Sequence, residues 1–547
     1  MSRTPTDRRS IVIDTPPTPN GDLHVGHLAG PFLAADVYAR YRRALGAPVV
    51  FSTGTDESQT YVVGTARRRG TTPAELAGRS WHEIRRTLEG AGISLDGFAP
   101  FDERYRASVL EFVTGLDAAG AFELRTVTLP YSRASGEFLV EGLVSGYCPV
   151  CLVMSRGGLC ESCGHPNANS DLIEPRSTVD PDDEVTMREA TILVLPMERY
   201  RERLTAYYAE REHRLRPHTV QLVREVLSRP LPDFPVTYPV AWGIPAPFPE
   251  TPGQVLNAWV EGIPAVMYTT AYAAEQIGVP QRGDDDLWRA EHDAEVVYFI
   301  GFDNVYFWGL THLALLMAYD GRYVLPDTIV SNEFYQLEND KFSTSLGHVV
   351  YSRDLIPHVP RDVLRFYLAL TCPEHQQTNF GREALTKVTL QRLVNPWNRL
   401  AGLLADAVSA AGAGGRPLPV SAAGNGRVEI LLGRFRACYE LSGFSLMRAA
   451  ELLVAQLERL VATARAIDLS EPDETALGDL FAEVRALIRA VSPILVDLAE
   501  ATGRAGGFDL RLDRAADPVT EVTAYRLPPL GPLDVATRDA AANLEVA

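Results

Sequence analysis

Apolar positions along the chain fall into short unbroken runs and longer stretches with helical spacing, and their order predicts the fold. The run Ile11-Val12-Ile13 reads as a buried β-strand ending in a turn-rich segment, Asp14-Thr15-Pro16-Pro17-Thr18-Pro19-Asn20-Gly21. Residues 24–45 then carry apolar side chains at helical spacing. Residues 48–51 are a second buried-strand candidate, ending in Thr53-Gly54-Thr55-Asp56. Strand, turn, helix, strand is the βαβ unit of a parallel sheet, and ligands bind in the loops at the carboxyl ends of such strands. The same signature returns at Val296-Val297-Tyr298-Phe299-Ile300, followed by Gly301-Phe302-Asp303 and an aromatic-rich helix to about residue 319. Between the two lie a cysteine-bearing insertion and an Arg/Glu-rich helical stretch over residues 197–228. After Asn395 the spacing is almost purely helical, with a Gly/Ala/Pro-rich connector over residues 410–426. The last forty or so residues have weak periodicity and read as a wrapping tail.

The predicted organisation is an α/β protein with a split Rossmann-like parallel-sheet domain, residues 1–115 and 231–325. A four-cysteine insertion, residues 116–230, interrupts it. A connector (326–390), an α-helical bundle (391–505) and a tail (506–547) follow. Composition adds little beyond exclusions: 46% hydrophobic and 22% charged residues are ordinary for a globular protein and rule out a disordered or fibrous one. No apolar run approaches the roughly 20 residues that span a bilayer. The polar start, residues 1–10, lacks the apolar core of a secretory signal, so a cytoplasmic protein without a membrane partner is expected. The formal net charge of −18 argues against non-specific coating of DNA and leaves room for a local basic face. Lys341 and Lys387 are the only lysines among 52 basic residues, so a position that keeps lysine against so strong an arginine bias asks for a reason.

Three motifs carry candidate chemistry. In His24-Val25-Gly26-His27 two imidazoles three residues apart share one face at a helix start. Free N–H groups there favour phosphate, and Gly26 leaves room for a nucleotide ring. Alone the pattern is weak; the strand and turn before it strengthen it. Asn339-Asp340-Lys341-Phe342-Ser343-Thr344-Ser345 places one of the two lysines beside hydroxyls, suited to the phosphate of an in-line displacement on ATP, with a solvated turn as the bland alternative. Cys148, Cys151, Cys160 and Cys163 form two C-x-x-C turns with the spacing of a tetrahedral zinc site. Four thiolates leave no open coordination position, so such a zinc is structural.

Together these residues resemble a class I aminoacyl-tRNA synthetase, and most closely the methionyl type. His24-Val25-Gly26-His27 stands in the H-I-G-H position and Lys341-Phe342-Ser343-Thr344-Ser345 in the K-M-S-K-S position. Asp171-Leu172-Ile173-Glu174-Pro175-Arg176, Trp242-Gly243-Ile244-Pro245 and Gly301-Phe302-Asp303 are the subfamily markers. The resemblance covers about residues 10–400, and the gap between the half-domains is too short for a large editing insertion. It implies formation of an aminoacyl adenylate from Mg-ATP, with Mg2+ as the accompanying ion, and transfer to an acceptor, normally a tRNA 3′ end. By resemblance His24, His27 and Lys341 stabilise phosphates. Asn20, Gly21, Gly26, Gly301, Ser343 and Ser345 belong to the ATP site, and Asp303 holds the ribose. Asp56 grips the substrate ammonium, with a helix N-cap as its bland alternative. Pro16, Thr18, Trp259, Val266, Asn304 and Trp308 surround the amino-acid side chain.

The departures concentrate in that pocket. Thr344 replaces the signature's second lysine. Gly54-Thr55-Asp56-Glu57-Ser58-Gln59 stands for G-T-D-E-H-G, and Phe302 for a lysine. Thr18 and Val266 replace two tyrosines, while Asn304 and Trp308 replace an apolar residue and a histidine. A buried amide demands a partner, so a polar or differently shaped amino acid is expected, against the alternative that compensating shifts preserve a methionine pocket. Asn395 and Arg399, four apart on one helix face, match the family's anticodon-reading pair. The tryptophan that usually accompanies them is missing, since Trp397 is the last in the chain, and plain helix packing is Asn395's other reading. Pro31 inside the first helix should interrupt it. The acceptor stays open between tRNA and a small-molecule amine in secondary metabolism. A non-catalytic tRNA-binding relative and a zinc-ribbon nucleic-acid binder are the rival classes. No further C-terminal module is evident, so a monomer is expected, with a mass near 60.0 kDa by light scattering.

Overall fold

The computed structural model describes residues 8–180, 182–338, 340–341 and 349–531. Five parallel strands form its central sheet: β1 (Ser10–Asp14), β2 (Val49–Thr53), β3 (Gly97–Phe98), β4 (Glu295–Gly301) and β5 (Thr328–Asn332). Their order is β5-β4-β1-β2-β3, with Ile11 opposite both Val50 and Val296. Both predicted βαβ halves therefore meet in one sheet. The strands read as unbroken apolar runs because helices cover both faces. Ile11, Ile13 and Val50 face one core with the helix α3 (Ala258–Gln276), while Val12, Phe51 and Phe299 face another with the helix α1 (Leu33–Ala44). Strand order reverses between β1 and β4, and the crevice outside their carboxyl ends is where such sheets bind ligands.

Pro31 interrupts the first helix as expected. An α-turn at Val25–His27 passes into a π-turn at Leu28–Phe32, where Gly30 leaves helical geometry (φ −84°, ψ −116°), before α1 begins. The helix α2 (Thr60–Arg69) follows β2. The insertion is built on the antiparallel pair Glu123–Ser132 and Val185–Leu195, and Val144–Tyr147 pairs with Met154–Arg156 and with Ile173–Ser177 to carry the cysteines. Arg201–Arg211 and Pro217–Leu227 are the predicted helical stretch.

Five helices make the bundle, from α4 (Asn395–Ala410) to Val496–Gly506. The connector over 410–426 contains a strand, Pro417–Pro419, paired with Glu521–Thr523 of the tail. The tail also returns to α4, where Trp397 Nε1 donates to the Pro528 carbonyl at 2.8 Å. Arg365 fastens the bundle to the sheet domain. Its guanidinium reaches the Asp36 carboxylate of α1 at 2.5 Å and the carbonyls of Ala91, Gly92, Pro493 and Ile494. Asp36 is entirely buried and Arg365 nearly so, and the neighbouring guanidinium holds the carboxyl below its usual range against the upward push of burial. Among the described residues no helix is long and apolar enough to cross a membrane.

Candidate active site

A cavity of about 1020 Å³ opens at the crevice between β1 and β4. The turn after β1 forms one wall, with Pro16, Thr18, Asn20 and Gly21 along it. Thr15 holds that turn to β4 through its N–H and hydroxyl, both donating to the Phe299 carbonyl, and Asp56 N–H donates to the Pro17 carbonyl at 3.1 Å.

His24 and His27 stand next on this wall, their rings stacked at 3.8 Å. They cap the helix reciprocally: Gly26 N–H donates to His24 Nδ1, and His24 N–H donates to His27 Nδ1, each at 3.2 Å. A ring nitrogen that accepts from an amide is unprotonated, so each neutral ring carries its proton on Nε2. Burial pushes His27 down to about 4, which keeps it neutral. The free first-turn N–H groups expected from the sequence are not there. Val25 N–H goes to the Val350 carbonyl, Gly26 N–H to His24, and His27 N–H to the His24 carbonyl. Any phosphate here meets imidazole donors instead of amides, because the histidines themselves have consumed the cap.

Across the cavity, Gly301, Asp303, Asn304 and Trp308 follow β4. Asn304 Nδ2 donates to Asp303 Oδ1 at 3.0 Å, and a Cβ on Gly301 would come within 2.5 Å of that same oxygen, so glycine is what lets the carboxylate sit there. Phe302, in the lysine position, points away to stack on His218 at 3.7 Å. Trp259 opens α3 and stacks face to face on Phe307 at 3.9 Å. Trp308 is 2% exposed, packed edge-on against Tyr298 and His312, and its Nε1–H has no acceptor among the described residues. Val266 is fully buried in the core and is not on the cavity wall. Gly262 and Ala265 of the same helix line the cavity instead.

Asp56 lines the cavity beyond β2 and accepts from Gln59 Nε2 at 2.6 Å. Burial lifts its pKa to about 7, with the Gln59 bond pulling it down and the Glu57 charge adding to the rise. It is not a helix cap: Gln59 holds the N-cap position of α2 and caps with no side chain. Burial likewise lifts Glu57 to about 7. Glu261 rises well above the carboxylate range through burial and Asp56, with Ser58 donating to it at 2.9 Å.

Several residues here carry no signal in the pattern. His312 is entirely buried, donates from Nε2 to the Trp259 carbonyl at 2.9 Å, and fills the space beside Gly262, where a Cβ would lie 2.4 Å from its Cε1. Its position one helical turn after Trp308 was the available clue. Gln59, Tyr105, Glu141 and Phe307 also line the cavity.

The Lys341 backbone lies in the short strand Asp340–Lys341, opposite Gln336. Ser343, Thr344 and Ser345 lie outside the described residues. Asn395 and Arg399 are exposed on the first turns of α4, with Trp397 buried between them. The four cysteine sulfurs converge, each within 4.8 Å of the others. Cys148 and Cys163 are 3.9 Å apart and Cys151 and Cys160 3.6 Å. A zinc with four sulfurs at about 2.3 Å requires edges of about 3.8 Å, so this donor set fits a closed zinc site.

A split parallel sheet with this histidine pair at its switch point and a four-cysteine knuckle in its insertion is the arrangement of the class I aminoacyl-tRNA synthetase type. Residues 11–402 match the family described as tRNA synthetases class I (M), and the chain belongs to that family. A methionine–tRNA ligase of Chlorobium limicola is 33% identical over 386 residues, 68% of this chain and 54% of that protein. One of Thermomicrobium roseum is 30% identical over 530 residues, 93% of this chain and 89% of its own length. The chain thus spans about half the length of the Chlorobium relative and most of the Thermomicrobium one. The crystal structure of Mycobacterium tuberculosis methionyl-tRNA synthetase bound by methionyl-adenylate shares the fold, with a TM-score of 0.73 at 22% identity over 96% of this chain and 99% of that one.

Proposed function

We propose that this chain uses ATP with Mg2+ to activate an amino acid other than methionine as its adenylate, and passes it to a tRNA 3′ end. The observation that carries the reading is the convergence of Asp56, the histidine pair and Asp303 on one cavity. In the activation step a substrate carboxylate oxygen bonds the α-phosphorus. The bridging P–O bond breaks and pyrophosphate leaves with its electron pair; no proton moves. Neutral His24 and His27 donate from Nε2 to phosphate oxygens where charge builds up, Asp303 holds the ribose hydroxyls, and Asp56 holds the α-ammonium. Positioning and preorganised donors supply the acceleration, and Lys341 serves as the signature cation. The four cysteines would hold a structural zinc that fixes the knuckle.

Specificity is read from the pocket. Its aromatic lining of Trp259, Phe307 and Trp308 is joined by the Asn304 amide and by the Trp308 N–H that lacks an acceptor among the described residues. A buried donor left unmade costs about 1–3 kcal/mol, so a side chain with an acceptor is favoured over a thioether. Exposed Asn395 and Arg399 support tRNA as the acceptor.

The test is amino-acid-dependent ATP–pyrophosphate exchange over the standard amino acids and a non-standard set, with and without tRNA. Exchange led by a polar amino acid is the expected result. Exchange led by methionine overturns the specificity reading, and silence in every condition overturns activation itself.

A further inference from the structure

Glu141 is a buried carboxyl at this site that activation leaves without a task; Asp22, buried on the same cavity, is tied up by Thr87 and Arg353. Glu141 sits on the insertion, at the head of the one-turn segment Glu141–Leu143, and reaches the same cavity as Asp56 and the histidines. Its residue is 4% exposed, and its side chain has no hydrogen-bond or ion-pair partner among the described residues. The backbone, by contrast, is pinned: Glu141 N–H donates to Asn169 Oδ1 at 2.8 Å, and its carbonyl accepts from Gly157 at 3.2 Å. That pinning holds a non-glycine residue at φ 48°, the left-handed region. Such strain persists where surrounding structure enforces it, and it gathers at functional sites.

The neighbours locate the carboxyl. The Asp56 charge acts on Glu141. Glu141 acts in turn on Tyr61, which also feels Asp303, Glu161 and Arg156. On the reading proposed above, Asp56 holds the ammonium and Asp303 the ribose. In an aminoacyl adenylate the carbonyl is linked between the ammonium-bearing carbon and the ribose phosphate, and Glu141 lines the same cavity as Asp56 and Asp303.

We infer that Glu141 is the general base of the transfer half-reaction, taking the proton from the nucleophile that discharges the adenylate. This rests on the proposed activation of an amino acid. The acceptor oxygen bonds the carbonyl carbon, the bond from that carbon to the phosphate oxygen breaks, and AMP leaves with the electron pair. The acceptor proton passes to the Glu141 carboxylate and from there to solvent. Burial, reinforced by Asp56, lifts Glu141 to about 8, near the operating pH, where a base works best. An ammonium bound at Asp56 removes part of that repulsion.

Full-length Glu141→Gly and Glu141→Gln are the variants to compare. Glycine suits φ 48° and leaves space for formate; glutamine fills the space without basicity. Adenylate is first formed on the enzyme with whichever amino acid supports exchange. Its discharge is then followed in single turnover, to water alone and to unfractionated bacterial tRNA. Discharge in both variants is expected to fall about 100-fold, more than exchange does, and added formate is expected to restore it in Glu141→Gly only. Unchanged discharge overturns the assignment. So does a loss that tracks exchange, or one that formate does not restore in Glu141→Gly. A wild-type protein that forms no adenylate fails earlier, at the exchange step, and overturns the activation reading itself.

Discussion

Binding of an amino acid to this site should depend on pH through Asp56, in a direction and to an extent the structure sets. The Asp56 carboxyl has a pKa of about 7 in the free protein because its wall position desolvates it. An α-ammonium pairs with the ionised form only, so half the sites must lose a proton to bind at pH 7. Apparent affinity then scales with the ionised fraction: nearly full at pH 8, weaker by about tenfold at pH 6 and by about a hundredfold at pH 5. The sign follows from the raised pKa. Protonation is favoured in the empty site, so acid weakens binding and alkali strengthens it towards a plateau. Glu57 titrates in the same range and interacts with Asp56, so the observed midpoint belongs to the pair. Asp56→Asn should remove the acid limb. It should also raise the amino-acid KM by about 30- to 1,000-fold, since deleting one partner of a buried charged hydrogen bond costs about 2–4 kcal/mol. The assay is pyrophosphate exchange at saturating ATP from pH 5 to 9, reading KM for the amino acid. A KM that stays flat from pH 5 to 8 in the wild type, or an acid limb that survives in Asp56→Asn, would refute the reasoning.

Four other outcomes can be checked. Gly262→Ala drives a methyl group into His312, whose Cε1 lies 2.4 Å from the ideal Cβ position. It should cost about 1–3 kcal/mol in urea unfolding, and adding His312→Ala should return part of that loss; equal stability of Gly262→Ala and wild type would count against the packing described. Arg365→Met strands the Asp36 carboxylate in the interior and should cost about 3–5 kcal/mol by the same measurement. Elemental analysis should find one zinc per chain, with the metal lost from Cys160→Ser; a metal-free wild type purified without chelator would be the contrary result. Thr344→Lys restores a cation to the signature, and an ion-paired hydrogen bond of about 1.5–3 kcal/mol should speed exchange about 10- to 100-fold. No change in turnover would show that Lys341 already suffices.

The elements that were legible in the sequence are those whose cause is local. Both βαβ halves were visible because strands buried on both faces must be unbroken apolar runs, and the cysteine pairs because each C-x-x-C turn is its own instruction. Pro31 announced the break in the first helix. What was not legible depends on segments brought together from afar. Glu141 has no flanking pattern, yet the insertion carries it to the sheet's switch point beside Asp56. Val266 was placed in the pocket by its motif position, but it is buried in the core, and Gly262 and Ala265 line the wall. The first-turn amides were expected to be free because pattern alone does not show that the His24 ring would take the Gly26 amide and the distant Val350 carbonyl that of Val25. The pairing of Pro417–Pro419 with Glu521–Thr523 joins a connector to a tail a hundred residues away, and neither stretch signals it alone.

The reciprocal cap of His24 and His27 has a consequence for how this motif can change over generations. The Nδ1 of each ring caps the helix start and so leaves the proton on Nε2; on the proposed function, local folding and phosphate recognition hang on the same two rings. A replacement at either position is penalised twice, once in the helix start and once at the reacting phosphate. Thr18 takes no part in those bonds, whereas Asn304 donates to Asp303 and Trp308 packs against Tyr298 and His312. On the proposed function, change at Thr18 therefore meets less resistance than change at the histidine pair, and the choice of side chain can shift there while the phosphate end stands still.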